Sequence, residues 1–383
     1  PEIKTPDHVA VIGSGTMGSA IAYAFLNAGA KVVVIEKGVD GIARASGNIE
    51  ALISTGMSSG RIDKAAANAR RNQLTLTTDY QDLGDVDLAI EAVFEDASIK
   101  QNVLRSLEVG LPPDAVIATN TSYLDVNKLA GVLADPSRLV GLHFFAPAHI
   151  MKLLEIIKGE MTSSKALAMG YAVAKRLGKI PVVAGVCDGF IGNRILARYR
   201  EAADTLLMDG CTPWEIDEVM VNFGYAMGPY EAQDLSGLDI AYANRRRQDD
   251  TRDPARRYIP IADHLVKAGR LGRKTGAGWY QYTANGVKDI DPVIEAMIIE
   301  TATSAAVNRR IFTPTDIQNR LVLAMINEAA NILFDGIAAT ASDVDIVLVH
   351  GYGFPRWRGG LLHYADQIGV ERLLAMLRMF AAE

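Results

Sequence analysis

Val9-Ala-Val-Ile-Gly13-Ser-Gly15-Thr16-Met17-Gly18 decides the fold of this chain: an apolar run, then Gly-x-Gly-x-x-Gly, then a helical pattern over Met17–Ala28. That glycine spacing alone is a weak signal. Here it follows a strand, opens a helix and begins a strand–helix–strand unit. In that setting the glycines let the backbone approach a pyrophosphate, whose charge rests on the helix N-terminus. The next strand, Lys31–Glu36, ends on a carboxylate roughly twenty residues past the loop. Glu36 so placed can hold both ribose hydroxyls of NAD, and it repels the additional phosphate of NADP. The alternative reading is a tight turn with no ligand.

Outward from this unit, the first half alternates short apolar runs with helical patterns, the mark of a parallel sheet wrapped by helices. Val86–Val93 and Ala115–Thr119 read as strands rich in Val and Ile, with a helix over Ser98–Val109 between them. Leu139–Phe145 and Lys152–Ile157 flank Pro147 and read as neighbouring strands joined by a short loop; Pro181–Ala184 would close the sheet near residue 185. Beyond it the patterns are helical: Gly189–Asp209, Pro213–Asn222 and Ser236–Arg247. A Gly-rich stretch, Gly272–Gly278, and a polar connector, Ala284–Asp291, precede helices over Pro292–Val307, Pro314–Phe334 and Val370–Met379.

The two helical blocks repeat each other. Asn193–Arg194 answers to Asn319–Arg320, Glu201–Ala202 to Glu328–Ala329 and Asp209–Gly210 to Asp335–Gly336. Asp217 then matches Asp345, and Gly224–Tyr225 with Pro229 matches Gly351–Tyr352 with Pro355. Chance likeness between amphipathic helices is disfavoured because order and spacing agree. The expectation is an α/β Rossmann-type domain over residues 1–185, followed by two related all-α domains over 186–284 and 285–383.

Composition sets the outer bounds. A chain of 383 residues calls for two or three domains, and 49% hydrophobic residues suffice to bury their cores. A net charge of −6 with no basic block excludes a nucleic-acid binder. Arg245–Arg246–Arg247 reads as a solvated helix face, with a local phosphate contact as the alternative. Cys187 and Cys211, the only cysteines, make neither a disulfide framework nor a metal site, which fits a reducing compartment. No apolar run reaches a membrane span. The amino end carries no signal-peptide pattern and no Met, so a processed or excerpted chain is expected.

The chemistry concentrates at few places. His143 lies in the apolar strand Leu142-His-Phe-Phe-Ala-Pro147, where a histidine is ordinarily a satisfied core residue. Glu155 lies in the next apolar run, where a charge is costly unless paired. Two strands joined by a loop can set them side by side, and a carboxylate beside an imidazole fixes its tautomer and makes it a better proton acceptor. Spacing alone leaves both readings open. Thr119-Asn120-Thr121-Ser122 follows a strand end, where ligands sit in open α/β sheets, yet these groups could equally cap the next helix. Glu91-Ala-Val-Phe-Glu95 and then Lys100 approach the same edge; an ordinary solvated helix start is the other reading. Asn193, in an apolar setting, could be a structural hydrogen-bonding group, as Asn319 would be.

These residues together resemble a known family. Gly13–Gly18, Glu91–Lys100, Thr119–Ser122, Gly141–Glu155 and Asp188–Arg194 resemble the 3-hydroxyacyl-CoA dehydrogenases of fatty acid β-oxidation. Gly272–Tyr280 is similar to the end of their dehydrogenase domain. Gly351-Tyr-Gly-Phe-Pro-Arg-Trp-Arg-Gly-Gly360 resembles the extra domain of the multifunctional enzymes, and His143–Met151 is similar to the peroxisomal-type bifunctional subgroup.

The resemblance implies NAD-dependent oxidation of an L-3-hydroxyacyl-CoA to the 3-ketoacyl-CoA, with no metal. It makes His143 the catalytic base and Glu155 its orienting carboxylate. Ser122 and Asn193 would hydrogen-bond the substrate oxygen; Glu36 would bind the adenosine ribose, while Glu95, Lys100, Ser122 and Lys274 would contact NAD. One departure is Ala146, where many relatives carry an Asn that touches the cofactor. NAD affinity is then weaker, or another group substitutes.

The multifunctional relatives also carry an N-terminal enoyl-CoA hydratase domain. Here the dinucleotide motif begins at Val9, so the chain is expected to oxidise but not hydrate, and to associate with a hydratase or thiolase. Bacterial relatives are cytoplasmic and eukaryotic ones of this type peroxisomal. Single-function relatives dimerise through the helical domain; the internal copy would take the partner's place, giving a monomer or weak dimer and leaving Asn319 a structural relic. Two rivals remain. One is a same-fold enzyme acting on a free hydroxy acid, which the trailing Asp291–Glu383 disfavours. The other is a non-catalytic NAD-binding protein, which intact His143, Glu155, Ser122 and Asn193 disfavour, although Ala146 leaves it an opening.

Overall fold

The structure, a computed structural model, describes residues 5–381. The strands in chain order are β1 (His8–Ile12), β2 (Lys31–Ile35), β3 (Leu74–Thr77), β4 (Leu88–Glu91), β5 (Val116–Thr119), β6 (Leu139–Phe144), β7 (Leu153–Ile157) and β8 (Ile180–Ala184). They form one eight-stranded sheet in the order β3-β2-β1-β4-β5-β6-β7-β8. Pairing is parallel from β3 to β6; β7 then runs antiparallel to β6, and β8 parallel to β7. The strand order reverses between β1 and β4, so the crevice at their carboxyl ends is the place where ligands bind such sheets.

The helices of this part are α1 (Thr16–Asn27), α2 (Gly38–Ser58), α3 (Lys64–Asn72), α4 (Ala97–Gly110), α5 (Val126–Ala130) and α6 (Ser164–Leu177). Near-continuous Val, Ile and Leu in β1, β2, β4 and β6 reflect burial on both sheet faces. The core shows the two-residue period of a strand. Val140, Leu142 and Phe144 of β6, with Leu154 and Ile156 of β7, join Ala166 and Val173 of α6 in one cluster. His143 and Glu155 fall at the alternate positions and share the opposite face.

The remaining helices are α7 (Gly192–Asp209), α8 (Pro213–Phe223), α9 (Pro229–Ser236), α10 (Leu238–Arg247), α11 (Ile261–Lys267), α12 (Pro292–Ser304), α13 (Pro314–Phe334), α14 (Ala341–Gly351), α15 (Leu361–Ile368) and α16 (Val370–Ala381). The repeat extends to the caps. Thr212 and Glu215 close a capping box on α8, and Thr340 with Asp343 closes the same box on α14. None of the described helices is long and apolar enough to cross a membrane.

Compactness divides the chain differently from sequence order. One unit comprises the chain up to Arg194 with Ile332–Tyr352; the other comprises Ile195–Asn331 with the chain from Gly353 onward. Although the second helical block is joined to the sheet only through the first, its α14 packs on β7 and β8. In the other unit the two copies share a core: Phe223 packs edge-on against Phe354 and Tyr364, and Arg198 of α7 pairs with Glu328 of α13 at 3.1 Å.

Several local readings change. The segment between Glu36 and Val86 holds α2, α3 and β3, which the apolar pattern did not announce. The helix expected over Ser236–Arg247 is present as α10 from Leu238, and Gly237, where φ is +95°, separates it from α9, which the apolar pattern did not announce. The polar connector supplies the turn and second strand of a small antiparallel hairpin, β9 (Gln281–Tyr282) with β10 (Lys288–Asp289).

Candidate active site

The glycine loop leaves β1 with Gly13 at φ +90°, and a Cβ there would come within 3.0 Å of the Ala92 carbonyl oxygen just beyond β4. Gly18 is held more tightly: a Cβ would lie 1.9 Å from the Gly13 carbonyl oxygen. At Gly15 a Cβ would meet nothing within 4 Å. Gly15 is also the N-cap of α1 and supplies no side-chain cap, whereas α4, α5 and α6 are capped by Asp96, Asp125 and Ser163. The open space and uncapped amides fit the pyrophosphate of NAD. The loop itself is pinned, since the Ser14 carbonyl accepts from Ser19 Oγ at 2.7 Å and Asn48 Nδ2 at 2.9 Å.

Glu36 follows β2 at the same edge. It accepts from the Ser14 amide and hydroxyl on one oxygen and from the Lys37 amide on the other. Partial burial works to raise its pKa, but Ser14, the Lys37 amide and the charge of Arg44 outweigh it, so the carboxyl stays below its ordinary value. A carboxylate, not an acid, therefore stands at this edge and can accept from hydroxyl groups.

At the ends of β4 and β5 the structure replaces the solvated helix start with a buried network. Lys100 is 1% exposed; its ammonium pairs with Glu91 at 2.7 Å and Glu95 at 3.2 Å. The other oxygen of Glu91 accepts from Thr119 Oγ1 at 2.6 Å. Glu95 accepts from the Thr121 hydroxyl and from the amides of Ser122 at 2.8 Å and Tyr123 at 3.1 Å. Burial opposes its ionisation, yet Lys100 and these donors hold its pKa below the ordinary value. Lys100 and Glu95 thus fix the Ser122 loop, and Lys100 offers no exposed amine to a ligand. Asn120 ties the loop to β6 by accepting from the Phe144 amide at 2.9 Å.

His143 and Glu155 are register partners on the antiparallel β6–β7 pair. Imidazole Nδ1 stands 2.6 Å from Glu155 Oε2. The carboxylate is fully buried, and burying it bare would cost several kcal/mol. Its second oxygen accepts from the amides of Ile191 at 3.3 Å and Gly192 at 3.2 Å, where α7 begins. The positive end of that helix offsets the charge. A carboxylate only accepts, so Nδ1 carries the proton, and in the neutral imidazole Nε2 then keeps its lone pair. The Phe145 and Phe190 rings flank the imidazole at 4.5 and 5.7 Å.

Asn193, in the first turn of α7, directs Nδ2 to the Ser122 carbonyl at 3.5 Å and accepts from the Tyr352 hydroxyl on Oδ1 at 2.9 Å. The Ser122 hydroxyl makes no hydrogen bond among the described residues. The structure therefore assembles His143, Glu155, Ser122 and Asn193 within one compact unit, together with Glu36, Glu95 and the glycine loop. Lys274 belongs to the other unit, where it pairs with Asp239. Arg245 and Arg246 pair with Asp263 in that unit, which accounts for two residues of the basic run. Tyr352 was missed as a site residue; its only sequence signal is the repeated Gly–Tyr step.

A dinucleotide loop, a carboxylate after the second strand and a histidine aligned by a buried carboxylate define an NAD-dependent dehydrogenase. The NAD-binding domain of 3-hydroxyacyl-CoA dehydrogenase matches residues 8–187, and the C-terminal domain of the same family matches twice, at 189–282 and 317–383. The chain belongs to the 3-hydroxyacyl-CoA dehydrogenase family.

It is similar to the peroxisomal bifunctional enzyme of Danio rerio, 39% identical over 97% of this chain, and spans 53% of that relative's length. A 3-hydroxybutyryl-CoA dehydrogenase structure from Escherichia coli covers 100% of this chain and 96% of its own, with 25% identity and a TM-score of 0.82. The dehydrogenase part of multifunctional enzyme 1 from C. elegans is 32% identical with a TM-score of 0.66, over 92% of this chain and 80% of its own.

Proposed function

We propose that this chain oxidises L-3-hydroxyacyl-CoA thioesters to 3-ketoacyl-CoA in fatty acid β-oxidation. The observation that carries this reading is the His143–Glu155 pair, with Nδ1 engaged at 2.6 Å, which leaves Nε2 of the neutral imidazole as the acceptor. Nε2 takes the proton of the substrate C3 hydroxyl, and Glu155 stabilises the imidazolium that results. Ser122 Oγ and Asn193 Nδ2 donate to the same oxygen and hold C3 in place. Bound NAD supplies the hydride acceptor. The Gly13–Gly18 loop and Glu36 hold it, while Glu95 and Lys100 shape the loop that carries Ser122. Ala146 leaves one expected cofactor contact unmade; for a contribution from Lys274 only the family likeness speaks.

The division into residues 1–185, 186–284 and 285–383 we read as one of ancestry, overlaid by a different division of packing. The bifunctional relatives support an acyl-CoA substrate; association with a hydratase or thiolase, and a peroxisomal or bacterial cytoplasmic setting, rest on the family likeness alone. Oxidation of NADH by the purified chain with acetoacetyl-CoA, beside free acetoacetate, is the test. The thioester alone should react; equal rates with the free acid would favour the hydroxy-acid rival, and no reaction with either would favour a non-catalytic one.

A further inference from the structure

We propose that Tyr352 is a positioning residue: with the Ser122 carbonyl, its hydroxyl anchors the Asn193 amide so that it presents an N–H group to the substrate oxygen. This rests on the dehydrogenase reading above and names a residue that reading does not need. A side-chain amide has an oxygen that accepts and a nitrogen that donates, in nearly the same shape, so only its partners decide its orientation. Tyr352 donates to Oδ1 at 2.9 Å. Turned over, Asn193 would set its oxygen against the Ser122 carbonyl that now lies 3.5 Å from Nδ2. The Ser122 carbonyl, which only accepts, selects the orientation in which Nδ2 faces it, and the Tyr352 hydroxyl anchors the amide there by donating to Oδ1. Nδ2 keeps a second hydrogen for a ligand.

The slot for the ring is built into the fold. A Cβ on Gly192 would lie 2.0 Å from the Tyr352 ring, so only glycine admits it. The ring meets Phe145 edge-on at 5.5 Å, and Phe145 lies against His143 at 4.5 Å. Tyr352 ends α14, on the sheet face that carries Glu155.

The repeat supplies an internal control. Tyr225 and Asn319 are the counterparts of Tyr352 and Asn193, and their relation has been lost. Tyr225 turns its hydroxyl to Met325 Sδ at 3.8 Å, and no hydrogen bond joins it to Asn319 among the described residues. Of the two tyrosine–asparagine pairs a duplication would create, only the pair beside the histidine is kept.

The test uses the intact chain, acetoacetyl-CoA and NADH. Tyr352→Phe keeps the ring over Gly192 and removes only the hydroxyl. It should lower kcat about tenfold, the worth of one hydrogen bond, with NADH affinity and melting temperature unchanged. In an Asn193→Ala background the same change should cost nothing further, because the residue through which it acts is gone. Wild-type turnover by Tyr352→Phe, or an undiminished loss beside Asn193→Ala, overturns the proposal. Nitrogen-15 NMR of the Asn193 side-chain amide reads the interaction without turnover. Its resonances should move in Tyr352→Phe, and unmoved resonances also overturn it. An inactive wild-type chain would sink the dehydrogenase reading, while the amide signal would still decide the role of Tyr352.

Discussion

Glu155 is an acceptor at both oxygens, and this asymmetry sets the chemistry at the scale of single residues. The amides of Ile191 and Gly192 occupy one oxygen, so His143 can meet only the other, and only as a donor. Glu155→Gln should therefore do more than remove a charge. Its amide oxygen will stay with the two backbone donors, turning the NH2 group towards Nδ1. The imidazole must then accept there and carry its proton on Nε2, which abolishes the base. His143→Gln and Glu155→Gln are both expected to lower kcat by roughly 10²–10⁴ while leaving NADH binding intact. Near-normal turnover of either, by steady-state kinetics, removes the pair from catalysis. Glu36 decides a different question. Its pKa is lowered in the folded chain, so its contribution to stability is present above the ordinary carboxylate value and is lost as pH falls through the lower folded one. NADH affinity, measured by fluorescence titration, should accordingly stay flat from neutrality down to about pH 5. NADPH should bind far more weakly, and equal affinity would mean Glu36 does not meet the ribose.

At the scale of elements, β1, its glycine turn and α1 carry two glycines with opposite reasons. Gly15 has φ −61° and open space beside it, so Gly15→Val should leave stability within about 0.5 kcal/mol yet weaken NADH binding at least about tenfold. Gly18 has a backbone oxygen 1.9 Å from any added Cβ. Gly18→Ala should cost roughly 1–3 kcal/mol of stability, and denaturant melts of the two variants separate a ligand-space glycine from a packing one. These positions were legible in the sequence because glycine spacing, β-branched runs and the Pro147 loop are local signals. The opposition of His143 and Glu155 was legible for the same reason, as neighbouring strands leave little freedom of register. What lay outside such reading had no local signal. β3 is Leu-Thr-Leu-Thr at the sheet edge, only partly buried, and α2 mixes Gly, Ala and Ser with a sparse apolar stripe. Lys100 could be read as an NAD contact or as part of a solvated helix start, because its burial depends on Glu91 and Glu95 arriving from a strand end. Tyr352 and the seat of α14 on β7 and β8 depend on contacts across more than a hundred residues.

For the whole molecule, the internal copy has consequences for assembly that can be argued from what it covers. Phe223 and Tyr225 of the first copy pack against Phe354 of the second, with Tyr364 on Phe223. The Arg309 guanidinium donates to the Leu207 carbonyl at 2.6 Å, and a Cβ on Gly210 would strike the Arg310 carbonyl oxygen at 1.8 Å. These apolar and backbone surfaces of the first copy already have a partner, supplied by the same chain. A second protein subunit is then not required to bury them, and we expect the intact chain to be a monomer, or a dimer that dissociates on dilution. Ending the chain at Asn285 should uncover Phe223 and Tyr225 and, through loss of α14, part of β7 and β8 as well. Such an exposed apolar area drives association, so residues 1–285 should dimerise or aggregate at concentrations where the intact chain does not. Their turnover should also fall, by at least the roughly tenfold loss assigned to the Tyr352 hydroxyl, since Tyr352 goes with the deleted part. Light scattering across a dilution series from micromolar concentrations distinguishes the cases. A tight dimer of the intact chain, or a soluble and fully active monomer of residues 1–285, would mean that the duplication does not stand in for a partner.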